Sequence, residues 1–600
     1  MRRIASTLAT VMFSGLTLVP NLLDAEPQGL PESASPLMNA ALYGRLRLSG
    51  GQTDDAAFTI GEGAGPSGSP QKILRLTTLE TPAPAYILRV SATTNSDIKK
   101  GDTIWTHFFM RTDHSPKESG EGTVEFVFEE RENYEKSGKI TATAVGEWRE
   151  FALAFTAKGN YPAGEADMIL RIGLQKQVVE LAGFEVLNFG AQVDRKDLPK
   201  LGQEVHYAGS EPTAPWRKAA AARIEEIRKA TLTIRVTDAQ GQPLAGAKVR
   251  VRQTSHEYGF GSAVSAKLLA DDASSGNAEQ YQEAVRRCFN IVTMENDFKW
   301  RQWREDSATP LAATQWCHDA GLRVRGHTLV WPGWRKLPPH VKALEGDPAA
   351  LRQEVLGHIE DEGAKAGDNI AIWDVMNEPY TNHDLMDILG KSAMVDWFKA
   401  AKAAAPHSRL FINDYGIING RDQRHPEHYA QTIEYLQAQG APLEGIGIQG
   451  HFGTAPSDIE EILAGLDRFG KYGLPLEMTE FSLEIEDPEV AANYLRDVMT
   501  VFFSHPATDA FLIWTFNEGT GFDHTAKLYD RQWRLTPAGE TWLDLISKQW
   551  HTETEVTTAA DGTAALRGFK GNYVVELDGA ASQTVALGSQ GAEAKLILLK

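Results

Sequence analysis

The sequence predicts an α/β protein: a (β/α)₈ barrel preceded by an all-β jelly-roll sandwich and flanked by small β appendages. Three observations predict it. From Phe260 onward, eight short apolar runs alternate with helical segments at intervals of about 30 to 50 residues, near the ~30 expected when ~250 residues divide into eight βα units. The acidic, amide and Trp side chains of this half gather where those runs end. Between residues 40 and 190, by contrast, short alternating runs are broken by Gly, Asn, Asp and Pro, which is the rhythm of a sandwich.

Composition sets the outer bounds. Six hundred residues, 42% hydrophobic and 23% charged, describe a soluble globular chain with room for several domains. A net charge of −20 argues against nucleic acid or an anionic membrane surface as partner, and suits a neutral polymer. A monomer is expected. Met1-Arg2-Arg3 followed by Ile4 to Val19 reads as a signal peptide spanning residues 1–25, too short and too polar to be a good membrane span. The protein is therefore expected to be secreted or periplasmic. Cys288 and Cys317 are the only cysteines, and two buried thiols are expected in preference to a bridge. No Cys/His spacing suits a metal, and no metal or organic cofactor is implied.

In chain order, the clearest runs of the first region are Ile104–Met110, Val124–Phe128, Trp148–Phe155, Met168–Leu174 and Val178–Val186. Their rhythm resembles that of jelly-roll carbohydrate-binding modules. Trp105, Tyr134, Trp148 and Tyr161 are the candidates to stack on sugar rings, although aromatic side chains more often fill interiors. Residues 214–257 read as a linker: a charged helix, Pro215–Ala230, with Pro in its first turn, then a hairpin of Thr231–Val236 and Ala247–Arg252 about the turn Gln240-Gly241-Gln242-Pro243. The barrel is expected over residues 258–550. Residues 551–600 read as a small carboxyl-terminal β appendage.

The barrel strands are expected at Phe260–Val264, Phe289–Asp297, Val324–Trp331, Ile370–Glu378, Leu410–Asp414, Ile446–His451, Leu476–Phe481 and Phe511–Asn517. A doubly wound open sheet is the rival, but no Gly-rich phosphate fingerprint follows any strand. In a barrel the functional groups collect at the carboxyl ends of the strands. There stand Glu295, Asn296 and Lys299 after strand two, His327 and Trp331 on strand three, and Asn377-Glu378 ending strand four. Asn413-Asp414-Tyr415 ends strand five, Gln449 and His451 strand six, Glu480 strand seven and Trp514 strand eight. Pro379 cannot donate to a ladder and stops strand four directly after Glu378.

Two carboxyls carried by strands four and seven suit the cleavage of a glycosidic bond. One protonates the leaving oxygen and the other attacks the anomeric carbon, with retention at a separation of ~5–5.5 Å and inversion at ~6.5–9.5 Å. Glu477, out of phase with Glu480 across the pleat, reads as structural.

These residues resemble glycoside hydrolase family 10, the endo-β-1,4-xylanases. The matching motifs are Phe289–Trp300, Arg325–Trp331, Trp373–Glu378, Phe411–Tyr415, Gly445–His451 and Met478–Phe481, in that order. The resemblance implies a retaining hydrolase of internal β-1,4 linkages in xylan, with Glu378 as acid/base and Glu480 as nucleophile. It implies that Asn377 bonds the sugar 2-hydroxyl and that His451 holds the nucleophile, with Gln449 nearby. Glu295, Asn296, Lys299, His327 and Trp331 would line the subsites on the non-reducing side, and Trp514 would floor the cleft. The chain departs from the family in Pro332-Gly333-Trp334, where members carry a His-Ser-Gln run. It departs again in Ser482, where members carry Asp, and after Trp514, where a second cleft Trp is absent. The alternatives are the same chemistry on another β-linked glucan or a decorated xylan, or a polysaccharide-binding protein without turnover.

Overall fold

A computed structural model describes residues 30–31, 34–50, 56–116, 120–202, 207–271, 276–418, 423–454 and 456–598. The expected signal peptide lies outside the described residues. The described residues fall into two compact units, the first within Met1–Arg111, Val124–Ala142 and Trp148–Gly202 and the second within Thr112–Thr123, Thr143–Glu147 and Gln203–Lys600.

The first unit is a sandwich of two antiparallel sheets. One has the strand order Ala56–Ala64, Pro70–Thr78, Gln177–Asn188, Thr103–His114, Arg149–Thr156, with Ser35–Met38 pairing on Gln177–Asn188. The other has the order Arg47–Ser49, Arg89–Thr93, Ala166–Arg171, Gly122–Glu130, Lys136–Ala144. Alternation sends Phe108, Phe126, Phe155 and Phe184 inward, where their rings meet. Of the four aromatics considered for sugar stacking, Trp105 and Tyr161 are core, and the Trp105 indole donates to the Pro199 carbonyl at 2.9 Å. Trp148 is half-buried beneath the Arg111 guanidinium, and Tyr134 is 62% exposed.

In the second unit, helix Pro215–Ile227 begins on its proline and buries Trp216, Ala220 and Ile224. It is docked rather than free. Arg217 grips Asp497 at 2.6 Å on helix Pro488–Ser504, and Arg228 donates to the carbonyls of Phe503, His505 and Thr508. The expected hairpin does not form. Lys229–Asp238 pairs with Thr563–Phe569 and Ala592–Leu598, whereas Lys248–His256 pairs with Glu553–Thr557 and Gly571–Glu576, which in turn pairs with Gln583–Leu587. The physical reason is that Leu232, Ile234 and Val236 on one strand, and Val249 and Val251 on the other, are each one apolar face. Side by side, the two strands would leave those faces open to water, and a lone hairpin is marginal at best. Placed in opposite sheets they face each other, and the carboxyl-terminal segment supplies the missing strands, with Tyr573, Val575, Leu587, Ala594 and Leu596 completing the core. The segments before and after the barrel are therefore one small sandwich. Replacing the fully buried Tyr573 with alanine is expected to destabilise it by about 3–5 kcal/mol, read as a shifted urea midpoint.

The barrel closes from eight parallel strands: β1 Gly259–Val264, β2 Ile291–Met294, β3 Arg323–Val330, β4 Ile372–Asn377, β5 Arg409–Asp414, β6 Gly445–Ile448, β7 Leu476–Leu483 and β8 Thr508–Ile513. Each pairs with its successor, and β1 pairs with β8. Every residue of β1, β2, β4, β6 and β7 is buried, as strands covered on both faces require. Cys288 and Cys317 are buried free thiols whose pKa values burial raises, to about 11 and about 12. Among the described residues, no helix is long and apolar enough to cross a membrane.

Candidate active site

The site stands on a layer of buried charge inside the barrel. The Arg325 guanidinium on β3 lies between Asp374 of β4 and Glu477 of β7, reaching Glu477 Oε2 at 2.5 Å. Arg409 on β5 meets Glu477 from its other side at 2.9 Å. Removing one member would leave an uncompensated buried charge, so these strands are held in mutual register. Glu477 is thus structural, as its phase on the strand implied. Asp374 also accepts from His327 Nδ1 at 2.9 Å, which aims that imidazole toward the mouth of the barrel.

Above this layer are the two glutamates. Glu378 follows the last residue of β4 with a φ of 53°, a left-handed conformation that costs a non-glycine residue about 1–3 kcal/mol. The turn takes the chain off the strand and leaves the carboxyl at its end. Its backbone N–H donates to the Asn413 carbonyl at 2.9 Å. Oε2 accepts from the Trp331 indole and from Asn382 Nδ2, both at 3.1 Å, and Oε1 accepts from Gln449 Nε2 at 3.0 Å. Burial nevertheless dominates. Desolvation, helped by the negative charges of Asp414 and Glu480, raises the pKa of this carboxyl to about 7 against the Gln449 hydrogen bond.

Glu480, inside β7, goes the opposite way. Burial again favours the neutral form, but it is outweighed by the His451 hydrogen bond, the charges of His327 and His451, and the Asn413 hydrogen bond, so its pKa falls to about 2. The donors are close: Asn413 Nδ2 to Oε1 at 2.8 Å, and His451 Nε2 to Oε2 at 3.2 Å. His327 Nδ1 is 4.0 Å from Oε1. His451 Nδ1 meets the Ser482 hydroxyl at 2.7 Å.

Asn413 joins the two halves. Its Nδ2 donates both to Glu480 and to Asn377 Oδ1 at 3.0 Å, while Gln449 Nε2 reaches Glu378 and also Asn377 Oδ1 at 3.4 Å. Glu378, Glu480, His327, Trp331, His451 and Trp514 line one open cleft with Lys299, Lys336 and Phe522. The Lys299 ammonium stands 5.5 Å from the Trp331 ring and 5.9 Å from the Trp514 ring and is bonded to Asn296 Oδ1 at 2.8 Å. Glu295 Oε1 accepts from the backbone N–H of Phe522 at 3.1 Å, tying the end of strand two to the loop after strand eight.

The eleven barrel residues singled out in the sequence as catalytic or sugar-binding therefore come together at one mouth of the barrel. Asn413 was noted at the end of strand five, but nothing local gave it a role. Two others were missed. Asn382 lies in a loop without pattern. Lys336 falls where the chain departs from the family motif, and its ammonium lies 3.6 Å over the Trp331 ring.

Residues 250–544 match the model of Glycosyl hydrolase family 10. The Anti-sigma-I factor RsgI6 of Acetivibrio thermocellus is 28% identical over 367 residues, 60% of this chain and 46% of the relative. Endo-1,4-beta-xylanase 1 of Arabidopsis thaliana is 28% identical over 360 residues, 59% of this chain and 37% of the relative. The chain thus spans less than half the length of these two curated relatives. Among solved structures, xylanase 10B from Thermotoga petrophila RKU-1 in complex with xylobiose is similar with a TM-score of 0.45 and 25% identity, over 49% of this chain and 95% of that one.

Proposed function

The barrel of this chain belongs to glycosyl hydrolase family 10, and from that premise we propose that the protein is a retaining endo-β-1,4-xylanase. One observation carries the reading: two buried glutamates share a cleft with opposite protonation states, Glu378 holding its proton to about 7 and Glu480 ionised down to about 2. A pair of titratable groups whose environments push their pKa values apart provides an acid and a nucleophile at the same pH. Glu480 attacks the anomeric carbon as Glu378 passes its proton to the departing glycosidic oxygen. The bond to that oxygen breaks and a glycosyl ester forms on Glu480. Esterification removes the charge that helped raise Glu378, which then takes a proton from water as that water attacks the same carbon. Free Glu480 and a product of unchanged configuration result. Asn377, buried next to Glu378 and linked to Glu480 through Asn413, would bond the 2-hydroxyl of the reacting sugar. Trp514 and Trp331 offer apolar ring faces to the flanking units.

The reaction needs two carboxyls and water. A polymer too large to enter a cell is in keeping with export by the amino-terminal segment. The test is hydrolysis of purified, unsubstituted β-1,4-xylan with the products sized and their anomeric configuration followed by NMR. Short oligosaccharides released early, first in the β form, are expected. Monomer release alone, or initial α products, would refute the proposal.

A further inference from the structure

Next to the cleft, a cavity of about 200 Å³ opens beside Trp331. Four cationic side chains line it, Lys299, Arg301, Arg335 and Lys336, and no carboxylate does. In a chain with 80 acidic and 60 basic residues, composition does not produce such a cluster. Arg301 spends its Nε–H on the Leu337 carbonyl at 2.7 Å, whereas Arg335 and Lys336 are exposed and have no ion-pair partner among the described residues. We propose that this cavity binds the carboxylate of a uronic acid borne by the polysaccharide, so that the enzyme favours acidic over neutral β-glycan.

The inference rests on the β-glycanase reading and names the substrate class for it. A guanidinium and an ammonium converging on one space match a carboxylate in charge and hydrogen-bond geometry, the guanidinium by a bidentate pair. A neutral sugar gains far less from them. The cations also repel one another. Partial desolvation against the Trp331 ring and then the charges of Arg335 and Arg301 hold the Lys336 ammonium below its ordinary pKa, against the pull of Glu378 and Glu480. An incoming carboxylate relieves that repulsion. The cavity meets the catalytic cleft at Lys299, Trp331 and Lys336, which line both, so a side group there belongs to a sugar close to the cleaved bond.

The test uses xylo-oligosaccharides carrying one uronic acid side group, and the same material after chemical reduction of its carboxyl to a primary alcohol. The wild-type kcat/KM is expected to be about fivefold or more higher on the acidic form, with the ratio falling as salt rises from 20 to 500 mM. In Arg335→Gln, an exposed position where folding is insensitive, the ratio is expected to fall to within about twofold of unity. Equal kcat/KM on the two forms in the wild type, or an unchanged ratio in Arg335→Gln, overturns the inference while leaving the hydrolase reading intact. Hydrolysis of neither form overturns both.

Discussion

Glu480→Ala is expected to lower kcat on xylan by on the order of 10⁴-fold or more, with polymer binding retained. The groups around this carboxylate are arranged for its charge: Asn413 at 2.8 Å, His451 at 3.2 Å, and His327 held from behind by Asp374 at 2.9 Å. Alanine removes the attacking oxygen and leaves those donors facing a space the size of a small anion. Azide or formate is expected to occupy it, restore part of the turnover, and give product of the opposite configuration, because attack then comes once rather than twice. Single-turnover kinetics and NMR of the product check both parts. Turnover in the alanine variant within tenfold of wild type would end the assignment of this residue.

The second large effect is the pH dependence of the glutamate pair. The reaction needs Glu378 protonated and Glu480 ionised. Because burial and the neighbouring carboxylates raise Glu378 to about 7, the acid form is lost, and kcat/KM with it, as pH rises through that value. Because its donors depress Glu480 to about 2, the nucleophile is lost only as pH falls through that value. The profile of the wild type is thus expected to be flat across the mildly acidic range, with its basic limb near 7. Removing the carboxyl in Glu378→Ala is expected to cost about 10²–10⁴-fold on xylan and much less on aryl glycosides whose leaving groups need no proton. In that variant the basic limb should vanish. A limb near 7 that survives the substitution would belong to another group and would reassign the acid.

The eight strands and the two glutamates were legible because they rest on local signals. An apolar run buried on both faces, a polar residue at its end and a proline after it are properties of neighbouring residues. Ser482 was equally visible as a departure, yet what it does, a 2.7 Å contact to His451 Nδ1, depends on two strands meeting. Lys336 and Arg335 were passed over for the same reason. Exposed cations on a loop carry no signal until the cavity beside Trp331 brings them to Lys299 and Arg301.

The hairpin expectation shows the limit most clearly. Alternation in Lys229–Asp238 and Lys248–His256 correctly marked two strands with one apolar face each, but it could not say which strands would lie beside them. Their neighbours come from more than 300 residues further on. Periodicity and motif therefore determined the barrel and the rim at which its polar side chains gather. Only the tertiary structure decided the burial and hydrogen bonds that push the two carboxyls apart, which amide bridges the pair, and that the chain's flanking segments close into one sandwich. Desolvation and pairing are set by atoms distant in sequence, and those atoms become neighbours only when the chain has folded.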